Sequence, residues 1–319
     1  MNEQINEATY HQLHHFISES AWEHEPLLKQ LGADISCLLS KKTGLKALVI
    51  DEEGHSKKGK YSVGVARQYL GSIGKVDNGQ VSVFAALNQG DDVGMVNAKL
   101  FLPQEWTNDS KRCTKVGIPA AMQVFKTKWE LALDMIDEMD EHLNYDWING
   151  DGFYGNAQGF RQGLSTRGKF FVLDIHSDQY VYSSDPQASV PEASKAKGRK
   201  PSIPVSEQIP KKVKDIFDKL EEKDWKTYTF REGTKGPMSR KVYTQKIFLW
   251  NNKSNDPNLV EEHTLIISCL KDGSEVKFSI ANDSNNALHP KLSDSALLFR
   301  QMNRYWVELG PPKRGYPRL

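Results

Sequence analysis

The stretch ALVIDEEGHSKKGKYSVGVARQY (residues 47–69) decides the fold. Its four leading apolar residues run directly into three carboxylates, Asp51, Glu52 and Glu53. A buried strand that ends on clustered negative charge either leaves the core at that point or delivers a carboxylate to a cation. The rest of the chain has to decide between these two possibilities.

Strand-like segments surround this stretch. A composition rich in β-branched and aromatic residues predicts strands at 46–51, 61–69 and 80–87. The two connections between them are rich in Gly, Lys and Asp, as hairpin turns tend to be. The three strands are therefore predicted to form an antiparallel meander.

Helices and strands alternate after the meander. The apolar pattern predicts a helix at about 119–142, a short strand ending on Asp151, a short helix around 157–166 and a strand at 169–175. The order βββαβαβ is that of an RNase H-like fold. By this analogy we expect an α/β protein built on a mixed sheet.

The rest of the chain is predicted to add three parts to this core. A helical region precedes it, and a β-rich insertion follows it, with a flexible linker rich in Pro, Ser and Lys at 183–212. A closing helix is predicted at 293–308, and Pro311 forbids its continuation. The predicted boundaries are 1–44 for the helical region, 45–175 for the first part of the catalytic core, 176–290 for the insertion and 291–319 for the closing helix and its tail.

Three carboxylates occupy positions that an RNase H-like fold would bring together. Asp51 ends the first strand, Asp151 ends the strand after the long helix, and Glu308 lies on the closing helix. Clustered acids repel one another unless a cation is present, and Mg²⁺ prefers oxygen ligands. The sequence therefore predicts a site for two Mg²⁺ (or Mn²⁺) ions that would activate water against a phosphodiester.

Simpler explanations of the same residues stay open. Aspartates are common at strand ends, and GDGFYG (150–155) is also compatible with a Gly-flanked turn. Arg304 and Glu308 form an i,i+4 pair that contributes little to helix stability. Two carboxylates are also the catalytic residues of glycosidases, but the basic loops of this chain fit phosphate better than sugar.

Composition excludes several classes of protein. With 319 residues and 38% hydrophobic residues, the chain can bury a sizeable core and is not disordered overall. No apolar run reaches the roughly 18–20 residues of a membrane helix, so no membrane partner is predicted. Three cysteines far apart in sequence predict a reducing, cytoplasmic location. The net charge of +1 leaves nucleic-acid binding to local patches.

Such patches occur in two loops that contain glycine. SKKGK follows shortly after Asp51, and REGTKGPMSRK lies in the predicted insertion. The glycines let the backbone approach a phosphate, whose charge the basic side chains would neutralise. The predicted DNA contacts are Lys57, Lys58, Lys60, Arg231, Lys235, Arg240 and Lys241.

Five segments between about residues 8 and 308 resemble the insertion-sequence transposases of the DDE superfamily, most closely the insertion sequence seven-hundred-and-one family. The segments are LVIDEEGHSKKGKYSVGVARQYLGSIGKVDNGQVSVF, LFLPQEWTND, GIPAAMQVFKTKWELALDMI, WINGDGFYG and REGTKGP. The resemblance implies an RNase H-like catalytic domain with a β-rich insertion between the second Asp and the Glu of the family's triad.

The resemblance also implies an activity and its residues. Asp51, Asp151 and Glu308 fall on the metal-binding triad, and Arg304 falls on the Arg of a Tyr–Arg–Glu–Lys signature. The implied reaction is cleavage and strand transfer at the terminal inverted repeats of a mobile element, followed by joining to target DNA. The implied partner is double-stranded DNA, and the resemblance allows a homodimer in the DNA complex.

The C-terminal end departs from the family. Gln301 stands where the signature has Tyr, and Gly315 stands where it has Lys. The sequence after Glu308 no longer resembles the family, which predicts a C-terminally truncated chain with impaired cleavage. The alternative function is therefore a remnant that binds DNA and interferes with the intact transposase.

Overall fold

A computed structural model describes residues 8–20, 23–40, 44–90, 92–191, 202–233, 236–250 and 259–282. Its helices are α1 (Tyr10–Ser18), α2 (His24–Ser40), α3 (Gln104–Thr107), α4 (Ser110–Lys115), α5 (Lys128–Asp140), α6 (Gly152–Asn156), α7 (Gln158–Thr166) and α8 (Val213–Phe217). Its strands are β1 (Ala47–Ser56), β2 (Ala66–Leu70), β3 (Lys75–Gln89), β4 (Asp92–Leu100), β5 (Trp147–Gly150), β6 (Phe171–Asp174), β7 (Tyr180–Val181), β8 (Lys211–Lys212), β9 (Lys226–Gly233), β10 (Gly236–Trp250), β11 (Val260–Leu270) and β12 (Lys277–Ala281). None of the described helices is long and apolar enough to cross a membrane.

A ten-stranded mixed sheet forms the centre of the molecule, with the order β2-β3-β1-β5-β6-β12-β11-β10-β9 and with β4 also paired to β3. Within it, β1 is antiparallel to β3, parallel to β5, and β5 is parallel to β6. The run β4-β3-β1-β5-β6 thus has the strand order and directions of an RNase H-like sheet. The predicted α/β fold class is confirmed.

The meander is built differently from the prediction. The strand expected at 61–69 is the short β2, which pairs only with the first residues of β3. The third strand of the meander is instead β4, which pairs with residues 82–89 of β3. The sequence DVGMVNAKL of β4 alternates too weakly to predict a strand, because a shift in pairing between Ala85 and Ala86 breaks its period of two.

The long helix also begins later than predicted. The expected helix at 119–142 starts only at Lys128, because Thr127 is its N-cap. The Thr127 side chain accepts a hydrogen bond from the Glu130 backbone N–H, and the Glu130 carboxylate accepts one from the Thr127 N–H. This reciprocal pair satisfies two backbone donors and fixes the start of α5.

The strands predicted for the insertion extend the central sheet. β12 lies antiparallel to β6, and β11, β10 and β9 follow in order toward the edge. A buried ion pair joins these strands to the helices: the Arg161 guanidinium on α7 binds both oxygens of Glu261 on β11, at 2.8 and 2.9 Å. The predicted domain boundaries stay a prediction, and the closing helix at 293–308 lies outside the described residues.

Two apolar clusters lie on opposite faces of the sheet, because alternate residues of β1 point to opposite sides. The larger cluster contains Leu48 and Ile50 together with side chains of α5 and α7. The smaller cluster contains Ala47 and Val49, and all its other described members come from strands or from residues just before strands. The described helices thus contribute to one face only.

Candidate active site

The pairing of β1 with β5 brings the two predicted aspartates together. In this parallel pair Ile50 lies opposite Gly150, so Asp51 and Asp151 follow at the same level of the sheet. Asp151 directly follows β5, whereas β1 continues past Asp51 to Ser56 and stays paired with β3, so the prediction that Asp51 ends its strand is wrong. The parallel pairing of β1 with β5 does stop before Asp51, and α/β proteins bind their ligands at the carboxyl end of such parallel strands. The structure therefore provides one edge with two adjacent carboxylates.

The two carboxylates destabilise one another's charge. Partial burial, together with the negative charges of Asp151, Glu52 and Glu53, raises the pKa of Asp51 to about 6. Partial burial and the charge of Glu52 also raise the pKa of Asp151. Among the described residues, no lysine or arginine forms an ion pair with either aspartate. Two repelling carboxylates without a protein cation suit a hard divalent metal ion.

Backbone hydrogen bonds orient both aspartates. Asp51 Oδ1 accepts a hydrogen bond from the Glu52 N–H at 2.8 Å. Asp151 is the N-cap of α6, and its Oδ1 accepts from the Phe153 N–H at 2.9 Å. Asp151 therefore has a structural role in starting α6 beside any chemical role.

The glycines of GDGFYG serve close packing. Gly150, Gly152 and Gly155 are not among the described residues with positive φ. A Cβ at Gly152 would lie 2.6 Å from the His176 ring, and one at Gly155 would lie 1.6 Å from the Asp174 carbonyl oxygen. The motif thus lets α6 lie with its backbone directly on the end of β6, and the alternative of a simple Gly-flanked turn does not explain it.

The sequence did not predict Asp174 as a site residue, although it follows an apolar run just as Asp51 does and is the last residue of β6. It lies at the level of Asp151 in the sheet, because Leu173 pairs with Gly150. The carboxyl is buried and accepts a hydrogen bond from Ser279 Oγ at 2.8 Å. Burial raises its pKa to about 7. Asp151 and Asp174 share the wall of a cavity of about 350 Å³.

The structure does not describe all of the remaining predicted site residues. Glu308, Arg304 and Lys235 lie outside the described residues, and no group of three His, Cys, Asp or Glu with metal-binding geometry occurs in the described part. Arg231 lies on β9. The exposed basic residues of the loop after β1 are Lys57, Lys58 and Lys60.

Two predicted DNA contacts are engaged within the protein. Arg240 is buried, and its guanidinium bonds to the Glu275 side chain at 3.3 Å and to the Glu275 carbonyl oxygen. Lys241 Nζ pairs with Glu222 at 2.7 Å. Sheet formation turns the Arg240 side chain inward, where Glu275 neutralises it, and its contact with phosphate stays a prediction.

Comparisons with known proteins found a matching family model and a similar transposase. Residues 1–237 match the family model described as DDE superfamily endonuclease. Over 171 residues the chain is 30% identical to the probable transposase for insertion sequence element IS701 of Microchaete diplosiphon. That alignment covers 53% of this chain and 41% of the relative, so the match spans less than half of the relative's length.

Among solved structures, the crystal structure of the NurA nuclease from Sulfolobus solfataricus is similar to this chain. The TM-score is 0.36 and the sequence identity is 11%, with 88% of this chain and 85% of that chain covered.

Replacing Gly155 tests the packing of α6 on β6. We expect Gly155→Ala to destabilise the protein by about 3 kcal/mol or more, because the new Cβ has to displace backbone rather than a flexible side chain. Chemical denaturation measures the change in the free energy of unfolding. Gly71→Ala is the control, since a Cβ at Gly71 meets nothing within 4 Å; equal stability of the two variants would contradict the packing described here.

Proposed function

The chain belongs to the family of DDE superfamily endonucleases, and on that premise we propose that Asp51 and Asp151 hold two Mg²⁺ or Mn²⁺ ions with which the protein cuts phosphodiester bonds in DNA. The observation that carries the proposal is the parallel pairing of Ile50 with Gly150, which puts two mutually repelling carboxylates side by side. Their donor set of carboxylate oxygens is the one that such ions prefer.

The two aspartates would bind and orient the ions. When bound, divalent ions lower the pKa of a coordinated water and stabilise charge on the leaving oxygen of a phosphodiester. Asp51 would have to be deprotonated to act as a ligand, which its raised pKa still allows at neutral pH. The hydrogen bonds from the backbone of Glu52 and Phe153 would hold the two carboxylates in fixed orientations.

Glu308 is the proposed third ligand, with Arg304 one turn before it. The predicted helix 293–308 has an apolar side around Leu298 and Trp306. The face of the sheet that carries Val49 receives no side chain from a described helix. If the predicted helix packed on that face, both apolar surfaces would be buried. The Glu308 carboxylate would then lie on the same side of the sheet as Asp51.

The finer activity proposed is transposition. After cleavage, the freed 3′-OH of the element end would attack a phosphodiester of target DNA, forming one bond and releasing one 3′-oxygen of the target. The support is the resemblance of the motifs and the 30% identity to a probable transposase. The substrates would be terminal inverted repeats and target DNA.

The loop after β1 is the best-formed candidate for a DNA contact. The Asn78 side chain donates hydrogen bonds to the carbonyl oxygens of Lys57 and Gly59, at 2.6 and 2.9 Å. Arg112 donates another to the Lys60 carbonyl oxygen at 2.8 Å. The backbone is thereby fixed while the lysine side chains remain exposed. At about 3.4 Å per residue, the loop begins roughly 17 Å along β1 from Asp51, about five base pairs of duplex.

Metal binding tests the proposed ligands directly. We expect Asp51→Asn and Asp151→Asn each to weaken Mn²⁺ binding by at least about a hundredfold, because each removes a charged ligand from the site. The concentration of free Mn²⁺, followed by electron paramagnetic resonance, measures the affinity. Asp34→Asn, which changes an exposed carboxylate on α2 in the same way, is the matched control. Because the pKa of Asp51 is about 6, protons compete below that pH, and wild-type affinity should fall by roughly tenfold per pH unit there.

The cleavage function is tested on supercoiled plasmid with Mg²⁺ or Mn²⁺. Wild-type protein should nick the plasmid only with metal, and Asp51→Asn and Asp151→Asn should not. Binding of DNA without any cleavage would favour the alternative of an inactive remnant. Nicking that survives in both variants would overturn the assignment of the two aspartates.

The lysine loop is tested by the salt dependence of DNA binding. Replacing Lys57, Lys58 and Lys60 together by Ala should weaken binding to every DNA sequence. It should also reduce the slope of log K against log salt by about 2–3, because up to three phosphate contacts are lost. Fluorescence anisotropy of a labelled duplex measures both effects.

The control for the loop carries the same change of net charge at another exposed surface, outside the loop. It replaces three lysines near α8 by Ala, namely Lys211, Lys214 and Lys219. An equal change of slope in the two triple variants would show that net charge, and not the loop, determines binding.

A further inference from the structure

Glu52, the residue after Asp51, reaches the opposite face of β1. Its Oε1 accepts a hydrogen bond from Lys128 Nζ at 3.0 Å, and the two side chains are only 21% and 17% exposed. Lys128 is the first residue of α5. This ion pair therefore ties β1, at the residue next to Asp51, to the start of α5.

The same lysine reaches α6, because Lys128 Nζ lies 5.3 Å from the centroid of the Phe153 ring. Tyr154 is the next residue. It lies on α6, three residues after Asp151, and is fully buried. Burial, followed by the charge and hydrogen bonding of the Glu52 carboxylate, raises the pKa of the Tyr154 hydroxyl. The Tyr154 hydroxyl and Glu52 Oε2 are nevertheless both buried without a hydrogen bond of standard geometry in the described part of the chain.

The Glu52–Lys128 ion pair and the buried Tyr154 hydroxyl are expected to contribute little to the stability of the fold. Buried polar atoms without full hydrogen bonding are destabilising, and apolar side chains of similar size often stabilise a core better than a buried ion pair. The three side chains come from β1, α5 and α6, so a single carboxylate connects the two elements that carry Asp51 and Asp151. Their placement points to control of geometry rather than to stability.

We propose that Glu52, Lys128 and Tyr154 form a positioning group that sets the relation of Asp51 to Asp151 for metal binding. The inference deepens the proposed function and rests on it. The Glu52 carboxylate is turned to the helix face of β1, where Lys128 holds it, and Asp51 faces the other side of the strand. Residues that orient metal ligands without touching the metal typically affect affinity by about 10–100-fold.

Tyr154→Phe separates positioning from stability. The Tyr154 hydroxyl has no standard hydrogen bond in the described part of the chain, so its removal should not lower the free energy of unfolding. We expect the variant to keep its Tm while Mn²⁺ affinity, measured from the resonance of the free ion, falls about tenfold. Tyr145→Phe is the matched control, because its hydroxyl bonds to Asp140 away from this edge. Unchanged Mn²⁺ affinity in Tyr154→Phe would overturn the inference.

Two further variants keep the test decisive if Tyr154→Phe does not fold. Lys128→Met should lower Mn²⁺ affinity about tenfold or more, whereas Lys126→Met, which breaks an exposed pair with Asp134, should not. If Asp51→Asn abolishes Mn²⁺ binding while Lys128→Met and Tyr154→Phe leave it intact, the positioning role is wrong and the proposed function stands. If Asp51→Asn leaves binding intact, both fail.

Discussion

The parallel pairing of β1 with β5 is the constraint on which the site depends. Only four residues of β5 take part, and their register places Ile50 against Gly150. A slip of one residue would turn every side chain of the strand to the other face. The residues before Asp51 and Asp151 are buried on both sides of the sheet. The register that buries them is therefore also the register that aligns the two carboxylates.

The packing of α6 maintains this alignment. Asp151 caps α6, and the absence of a side chain at Gly155 lets the helix backbone touch the end of β6. The same helix carries Tyr154 and places the Phe153 ring beside Lys128, the partner of Glu52. Burial, together with the charge of Asp151, raises the pKa of Asp51, so placing the two carboxylates side by side is unfavourable without a cation. Strain of this kind is typical of functional sites, where stability is lower than the fold could reach.

Much of this could be predicted from the sequence because local pattern and global fold agree. The apolar runs ending on Asp51 and Asp151 identify the two central strands, and the order of elements identifies the sheet. The sequence did not predict β4, because this strand is only partly buried and its polar and Gly residues give no clear alternation of apolar and polar positions. Asp174 follows an apolar run as the other two aspartates do, but its bond to Ser279 depends on pairing between segments far apart in the chain. The burial of Arg240 against Glu275 has the same origin and left no local sign in the sequence. The strands after β6 likewise gave no sign in sequence that they would extend the same sheet.

The central claim is that Asp51 and Asp151 share bound metal. The most direct measurement is anomalous diffraction from crystals of the protein soaked in Mn²⁺. We predict an anomalous difference peak within coordination distance, about 2.0–2.3 Å, of carboxylate oxygens of both aspartates. A site at these two residues that stays empty in crystals with Mn²⁺ bound elsewhere, or a peak that touches neither carboxylate, would contradict the account.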